Sequence, residues 1–382
     1  MRNAILKTAG ILILLAVMLA IMTTCGSVLA GDENNDSANT EISEIYEKGK
    51  VLTIEDMGES SYQGQDNQFL DQKVRVKILS GKYKGQEYVT IHTLSGSPGI
   101  DIHVQPGDEV VLYLSEDNGD LSEVYISDVV RANFLNYIVI AFVILLVLVG
   151  GIKGIKALVA LGLTILAIFK VLLPALVSGY SPLPITTIVL AVVTVFTMIV
   201  VAGFTSKSFA ATLGTIGGVM VAGFLAYWIG DVAHLYGLAT EESRMLLYVP
   251  DLELDMRGLL FSGIIIGALG AIMDVAMSIA SSMDEVRKAN PGLSRWELMV
   301  SGMNVGRDIM GTMANTLILA YTGGALPFLL LFMAYDTSSL RIMNSELIAS
   351  EIVRAMVGSI GLILSVPITA FSASIFMGTR RS

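Results

Sequence analysis

The sequence predicts a polytopic α-helical membrane bundle of about seven core transmembrane helices, with an amino-terminal signal or anchor segment and a small extracytoplasmic β-barrel-like domain. Three observations predict it. The chain is 53% hydrophobic and only 15% charged, with a mean hydropathy of +0.69, well beyond what a soluble domain of 382 residues carries. Several runs of about 18 or more residues are nearly free of charge, the length a helix needs to cross ~30 Å of hydrocarbon. Residues 31–133 break this pattern, being rich in Val, Ile and Tyr and punctuated by turn sequences. The net charge of −10 lies largely in extramembrane segments and points to no nucleic-acid partner.

Residues 1–30 begin with Arg2 and Lys7, continue with AGILILLAVMLAIM and end in SVLAG. This reads either as a signal peptide cleaved after Ala30 or as an uncleaved anchor. Cys25 is the only cysteine, so no internal disulfide can form. Its context IMTTC lacks the small preceding residue that a lipid-attachment site requires.

Within 31–133, GDENNDSANTE is polar and reads as a flexible leader. Four strands follow: QKVRVKILS, EYVTIHTLS, DIHVQPGDEVVLYLS and SEVYISDVV, separated by GKYKG, SGSPG, QPGDE and EDNGD. Short strands at this spacing predict a closed or nearly closed barrel. His92 and His103 are too few for a metal site, and no metal or cofactor is expected.

The multipass domain is expected over 134–382. Its apolar runs are 135–152, 157–178, 183–204, 208–230, 258–281, 309–334 and 355–377. With the amino terminus inside, the inner loops hold Lys153 and Lys156, Lys207, then Arg287, Lys288, Arg295 and Arg307, and finally Arg380 and Arg381. The acidic 231–257 loop then lies outside. That arrangement places the protein in a cell membrane as a multipass protein, with 31–133 extracytoplasmic and the carboxyl terminus cytoplasmic. Gly323-Gly324 and Pro327 predict a kink or unwound turn within 309–334. Helix is expected on both sides of Asn290-Pro291.

Asp274, inside GALGAIMDVAMSIASS, is the residue that asks for an explanation. An ionisable group within a span is costly and is a functional-site hypothesis by default. Helical spacing puts Gly267, Gly270, Asp274, Ser278 and Ser281 on one face, and Ile264, Ile265, Ile272 and Ile279 elsewhere. Small and polar residues suit a helix–helix seam, so the glycine face is expected to point into the bundle and the isoleucines toward lipid. In 309–334 and its approach, Asp308, Gly311, Thr312 and Asn315 form a matching stripe. Asp274 and Asn315 each fall roughly 10 Å from the cytoplasmic end, at equal depth, where they can hydrogen-bond. An acid turned to acyl chains, or one far from that amide, would leave the permeation scheme with no site.

The last run adds Glu351 and Arg354, spaced to neutralise each other, then Gly358, Gly361 and Ser365. Simple packing is the competing explanation for Asn315, Ser278 and Ser365, since intramembrane polar contacts hold helices together by ~0.6–2 kcal/mol each. Arg307 and Asp308 read as an interfacial ion pair, and Lys170 as a snorkelling lysine. Met273, Met277, Met310 and Met313 cluster near Asp274 and read as adaptable core.

GALGAIMDVAMSIASS, SGMNVGRDIMGTMANTLILAYTGGALP and NSELIASEIVRAMVGSIGLILSVPITA occur in this order, with DMRGLLFSGIIIGALG, GGIKGIKAL and KVRVKILSGKYKGQEYVTI beside them. From about residue 70 onward the chain closely resembles the YibE/F-like family of bacterial multipass membrane proteins. The resemblance implies an integral membrane protein and supplies no substrate or catalytic residues.

The leading expectation is a transporter or permease for a small solute or ion, with a polar intramembrane site at Asp274, Asn315, Ser278, Asp308, Thr312, Glu351, Arg354 and Ser365. The alternative is an accessory or assembly protein whose exported domain binds a partner, either a second copy or another membrane protein. An enzyme is not expected: HExxH and GxSxG are lacking in the bundle, and the GD of WIGDVAHLYG lacks the first glycine of GxGD.

Overall fold

The structure is a computed structural model that describes residues 44–60, 69–97, 99, 101–117, 120–250 and 252–377. The expected signal or anchor segment, Cys25, the polar leader, Arg380 and Arg381 lie outside the described residues. The chain forms two compact units, divided between Leu146 and Val147.

The first unit is built on five antiparallel strands: β1 (Glu44–Ser60), β2 (Phe69–Ile78), β3 (Glu87–Leu94), β4 (Glu109–Asp117) and β5 (Asp120–Val129), in the order β3-β2-β1-β4-β5. The sheet curls until its edge strands β3 and β5 touch, giving a half-barrel. Alternation drives this: Val74, Val76 and Ile78 of β2 are fully buried, as are Val110, Leu112 and Leu114 of β4, while Lys73, Arg75 and Lys77 between them avoid the core.

The four expected strands correspond to β2–β5, although the third is shorter than DIHVQPGDEVVLYLS and begins only at Glu109. The fifth, β1, was not expected, and it is the central strand. Its inward positions include Gly49, where a methyl group would lie 2.4 Å from Leu112 Cδ1, so an apolar side chain is excluded there. Glu and Lys fill many of its other positions, and register shifts at Val51/Thr53 and Asp56/Gly58 interrupt its period. His92 is buried, with Nε2 2.7 Å from the Ile102 carbonyl, whereas His103 is exposed; the two do not share a site.

Among the described residues, six helices are long and apolar enough to cross a membrane: α1 (Ala132–Val177), α2 (Pro182–Ala202), α3 (Ser206–Val232), α4 (Met256–Ala289), α5 (Arg295–Ala334) and α6 (Glu346–Met377). The first two expected runs both fall within α1, which is interrupted at Gly151 by a left-handed backbone (φ 53°, ψ −132°). A π-helical turn at Ile168–Leu172 precedes Pro174 and carries the exposed Lys170.

Caps set the other boundaries. The Asp255 carboxylate accepts from the Gly258 amide at 2.9 Å, and Ser294 and Glu297 form a reciprocal capping box. Helices α4 and α5 flank Asn290-Pro291 as expected. Helix α5 runs through Gly323-Gly324 and Pro327, so the unwound turn, one of the two expected forms of a break there, does not form.

The centre of the helical unit is the crossing of α3 and α6. A methyl on Gly361 would sit 2.9 Å from the Gly218 carbonyl oxygen, and one on Gly218 would sit 2.8 Å from that of Gly361. Glycine inside a helix costs roughly 1 kcal/mol relative to alanine, but here it lets two backbones meet, the principal source of attraction between helices in lipid. Ile272 of α4 enters the same crossing, against both glycines.

Candidate functional site

The orientation of α4 follows from its isoleucines. Ile264, Ile265, Ile272 and Ile279 are all 0% exposed. Ile265 packs at Gly223 and Ile272 at Gly218, both of α3, while Ile279 packs at Gly306 of α5. The holes are the glycines of the neighbouring helices, and α4 supplies the knobs. Gly267, Gly270, Asp274 and Ser278 therefore lie on the exposed side, opposite to the expectation from small-residue patterning. A stripe of small residues permits an approach but does not say which helix provides the bulk that fills it.

Asn315, Asp308 and Thr312 likewise lie on the exposed face of α5. Packing of Gly302 at Met283 and of Gly306 at Ile279 sets α4 against α5 in antiparallel register. Asn315 then falls within about one helical turn of Asp274 in depth. No hydrogen bond joins them, however, and the expected Asp274–Asn315 pair does not form. Thr312 Oγ1 donates to the Ile309 carbonyl at 2.9 Å, and Arg307 Nη1 to Asn304 Oδ1 at 3.1 Å. The expected Arg307–Asp308 ion pair is thus replaced by an arginine–asparagine contact one helical turn back. Ser365 is buried, and its hydroxyl donates to the Leu362 carbonyl at 2.7 Å, leaving it a packing residue.

What Asp274 does face is a cavity of about 390 Å³ between the Val147–Val177 part of α1, α2 and α4. Ala157 and Leu161 form one wall, Leu190 and Met198 a second, and Met273 and Met277 the floor beside the carboxylate. Because Asp274 is also exposed, this cavity is not sealed off from the surroundings of the bundle. Two threonines line it, Thr164 and Thr197, and they differ in how their hydroxyls are used. Thr164, also on the wall, donates to the Ala160 carbonyl at 2.9 Å, and Thr194, one turn from Thr197 on α2, donates to that of Leu190 at 2.7 Å. Thr197 lines the cavity, is 6% exposed, and its Oγ1 has no partner. A buried hydroxyl left unpaired costs roughly 1–3 kcal/mol, and this oxygen is itself shielded from the cavity's open space. Sequence reasoning did not single out Thr197, because threonines in apolar helices ordinarily bond their own backbone.

A second polar cluster forms at the Glu346 end of α6. Glu351 and Arg354 pair at 3.0 Å, as their spacing predicted, and the guanidinium stands 5.9 Å from the centre of the Tyr321 ring. The Tyr321 hydroxyl, Ser350 Oγ and Arg354 Nε are buried without partners. Glu351 lines two smaller cavities, of about 170 Å³ and 160 Å³. The loop over the first is held by Glu346, whose carboxylate accepts from the backbone amides of Tyr236 and Gly237 at 2.8 and 2.7 Å. Among the described residues, no three His, Cys, Asp or Glu side chains group closely enough to hold a metal ion.

A family model described as YibE/F-like protein matches residues 138–379, and one described as YibE/F family N-terminal domain matches residues 41–129. No curated protein and no solved structure matches the chain.

Proposed function

The chain belongs to the YibE/F-like protein family, and from that premise we propose that it is a membrane transporter whose solute site is the cavity beneath Asp274. One observation carries this reading: an intramembrane carboxylate without a partner lines an open, otherwise mostly apolar cavity that Thr197 also lines. Charge in a span is rarely retained without use. Asn315, Asp308 and Thr312 drop out of the site, and Thr197 replaces them. In the orientation favoured by the positive-inside distribution, Glu351 and Arg354 stand at the outer end of the pathway. The test is an untargeted comparison of ions and metabolites inside and outside cells carrying the wild type, Asp274→Asn, or no protein. A solute whose distribution changes with the wild type and not with the variant supports the proposal. Identical distributions for wild type and variant would remove Asp274 from any transport role.

A second reading is favoured by a different observation. Asp308, Thr312, Thr316 and Asn315 form a polar face on α5 that is exposed among the described residues. Leaving such groups against acyl chains is costly, and an accessory protein would cover them with a membrane partner, its β-domain serving as recruiter. Stoichiometric co-purification of a partner, lost when residues 31–133 are removed, is the result that would favour it.

A further inference from the structure

The cavity at Asp274 also restricts what could occupy it, an argument that rests on the transport reading above. Its lining is apolar apart from Asp274, Thr197 and the already bonded Thr164, and it contains no basic side chain and no aromatic ring. An anion finds one negative charge and nothing to neutralise its own. A small hydrated cation such as calcium requires about six to eight oxygen ligands, and the walls offer one carboxylate, the Thr197 oxygen being shielded. Magnesium, which keeps its water, would leave Leu161, Leu190 and Met198 against a hydration shell.

A neutral solute would leave the carboxylate unmatched in apolar surroundings, an expensive arrangement. An organic cation with apolar substituents meets both demands at once. Its single charge neutralises Asp274, and its hydrocarbon covers the walls. The volume of about 390 Å³ falls in the range of small-molecule sites. Three methionines, Met198, Met273 and Met277, make those walls polarisable and able to repack around guests of differing shape. We propose that this cavity binds lipophilic monovalent organic cations, meaning protonated hydrophobic amines and quaternary ammonium or phosphonium ions.

The experiment is equilibrium binding to the full-length protein in nanodiscs of zwitterionic lipid, with tetraphenylphosphonium, tetrabutylammonium and tetraphenylborate as probes. The borate matches the phosphonium in shape and carries the opposite charge. The expected result is saturable binding of the two cations, each competing with the other, and none of the borate. Asp274→Asn should weaken cation binding by about ten-fold or more, as loss of a desolvated charge partner does. Asn315→Ala should leave it unchanged. Met277→Trp, which fills the cavity without altering charge, should abolish it, and covers the case in which Asp274→Asn folds poorly.

Absence of saturable cation binding overturns the proposal, as does equal binding of the borate or indifference to both cavity variants. Binding without movement of these cations across proteoliposomes would keep the ligand class and sink the transport reading. Asp274-dependent movement of some other solute, without cation binding, would do the reverse.

Discussion

Ile272 and Asp274, two residues apart on α4, point to opposite sides of that helix: the isoleucine is fully buried at the Gly218–Gly361 crossing, and the carboxylate is exposed beside the cavity shared with α1 and α2. Two residues correspond to about 200° of helical rotation. Packing of the one therefore fixes the outlook of the other, and the site is a consequence of the core.

If so, Ile272→Ala should destabilise the bundle by about 2 kcal/mol, the low end for a buried aliphatic truncation because lipid already solvates apolar groups. Gly361→Val should be far worse, since its side chain would strike the Gly218 carbonyl oxygen. Thermal unfolding in one detergent, followed by fluorescence or by loss of the monodisperse species, ranks the two. Equal stability of Gly361→Val and the wild type would contradict the crossing.

Asp274→Asn makes the opposite prediction. The carboxylate has no hydrogen bond or ion pair to lose, so the change in stability should stay within about 0.5 kcal/mol while any Asp274-dependent transport disappears. A variant that instead fails to accumulate, and is rescued by Asp274→Glu, would assign the acid a structural role.

At the Glu346 end of α6, Glu351 and Arg354 are each about three-quarters or less shielded, with side-chain exposures of 26% and 30%. Glu351→Gln leaves the guanidinium without its anion and should cost about 1–2 kcal/mol, a buried-pair penalty discounted for partial exposure. The double variant Glu351→Gln/Arg354→Met should recover part of that loss. A double-mutant cycle in thermal stability measures the coupling, and additive losses would show that the pair is not coupled.

In the β-domain, the Ser95 backbone amide donates to Asp101 at 2.7 Å and the Ser95 hydroxyl at 2.8 Å, which holds the Asp101 carboxyl below its usual range. A folded pKa lower than the unfolded one gives stability that is complete above the unfolded value of about 3.9 and is lost as pH falls through the folded value. The loop 95–101 should therefore loosen in acid, below about pH 4. Asp101→Asn should flatten that acid limb, as read from hydrogen exchange of the Ser95 and Ser97 amides between pH 3 and 6. An unchanged acid limb in the variant would place the effect elsewhere.

The β2–β5 strands were legible because Val74, Val76, Ile78, Leu112 and Leu114 alternate with polar residues, and the membrane-length helices because their runs lack charge. Strand β1 was not, since the centre of a tightly curled sheet demanded Gly49 where a core residue would have advertised itself. The glycines of α4 looked like an interface because periodicity identifies a face without identifying its neighbour. The decisive small residues were Gly218 and Gly223 on α3, a helix whose charges, Lys207 and Asp231, lie only near its ends. Thr197 was hidden for a chemical reason: only the geometry of its hydroxyl, not its residue type, distinguishes it from the back-bonded Thr194.

The proposed site exists only if Asp274 looks into a cavity that water can reach. Single cysteines at positions 274 and 272, placed in a Cys25→Ser background, would report this through their rates of reaction with a charged, membrane-impermeant thiosulfonate. Such reagents need a hydrated thiolate. We predict ready labelling of Asp274→Cys and little or none of Ile272→Cys. An Asp274→Cys thiol as inert as the one at 272 would mean that the acid faces acyl chains, and the proposed site would not exist.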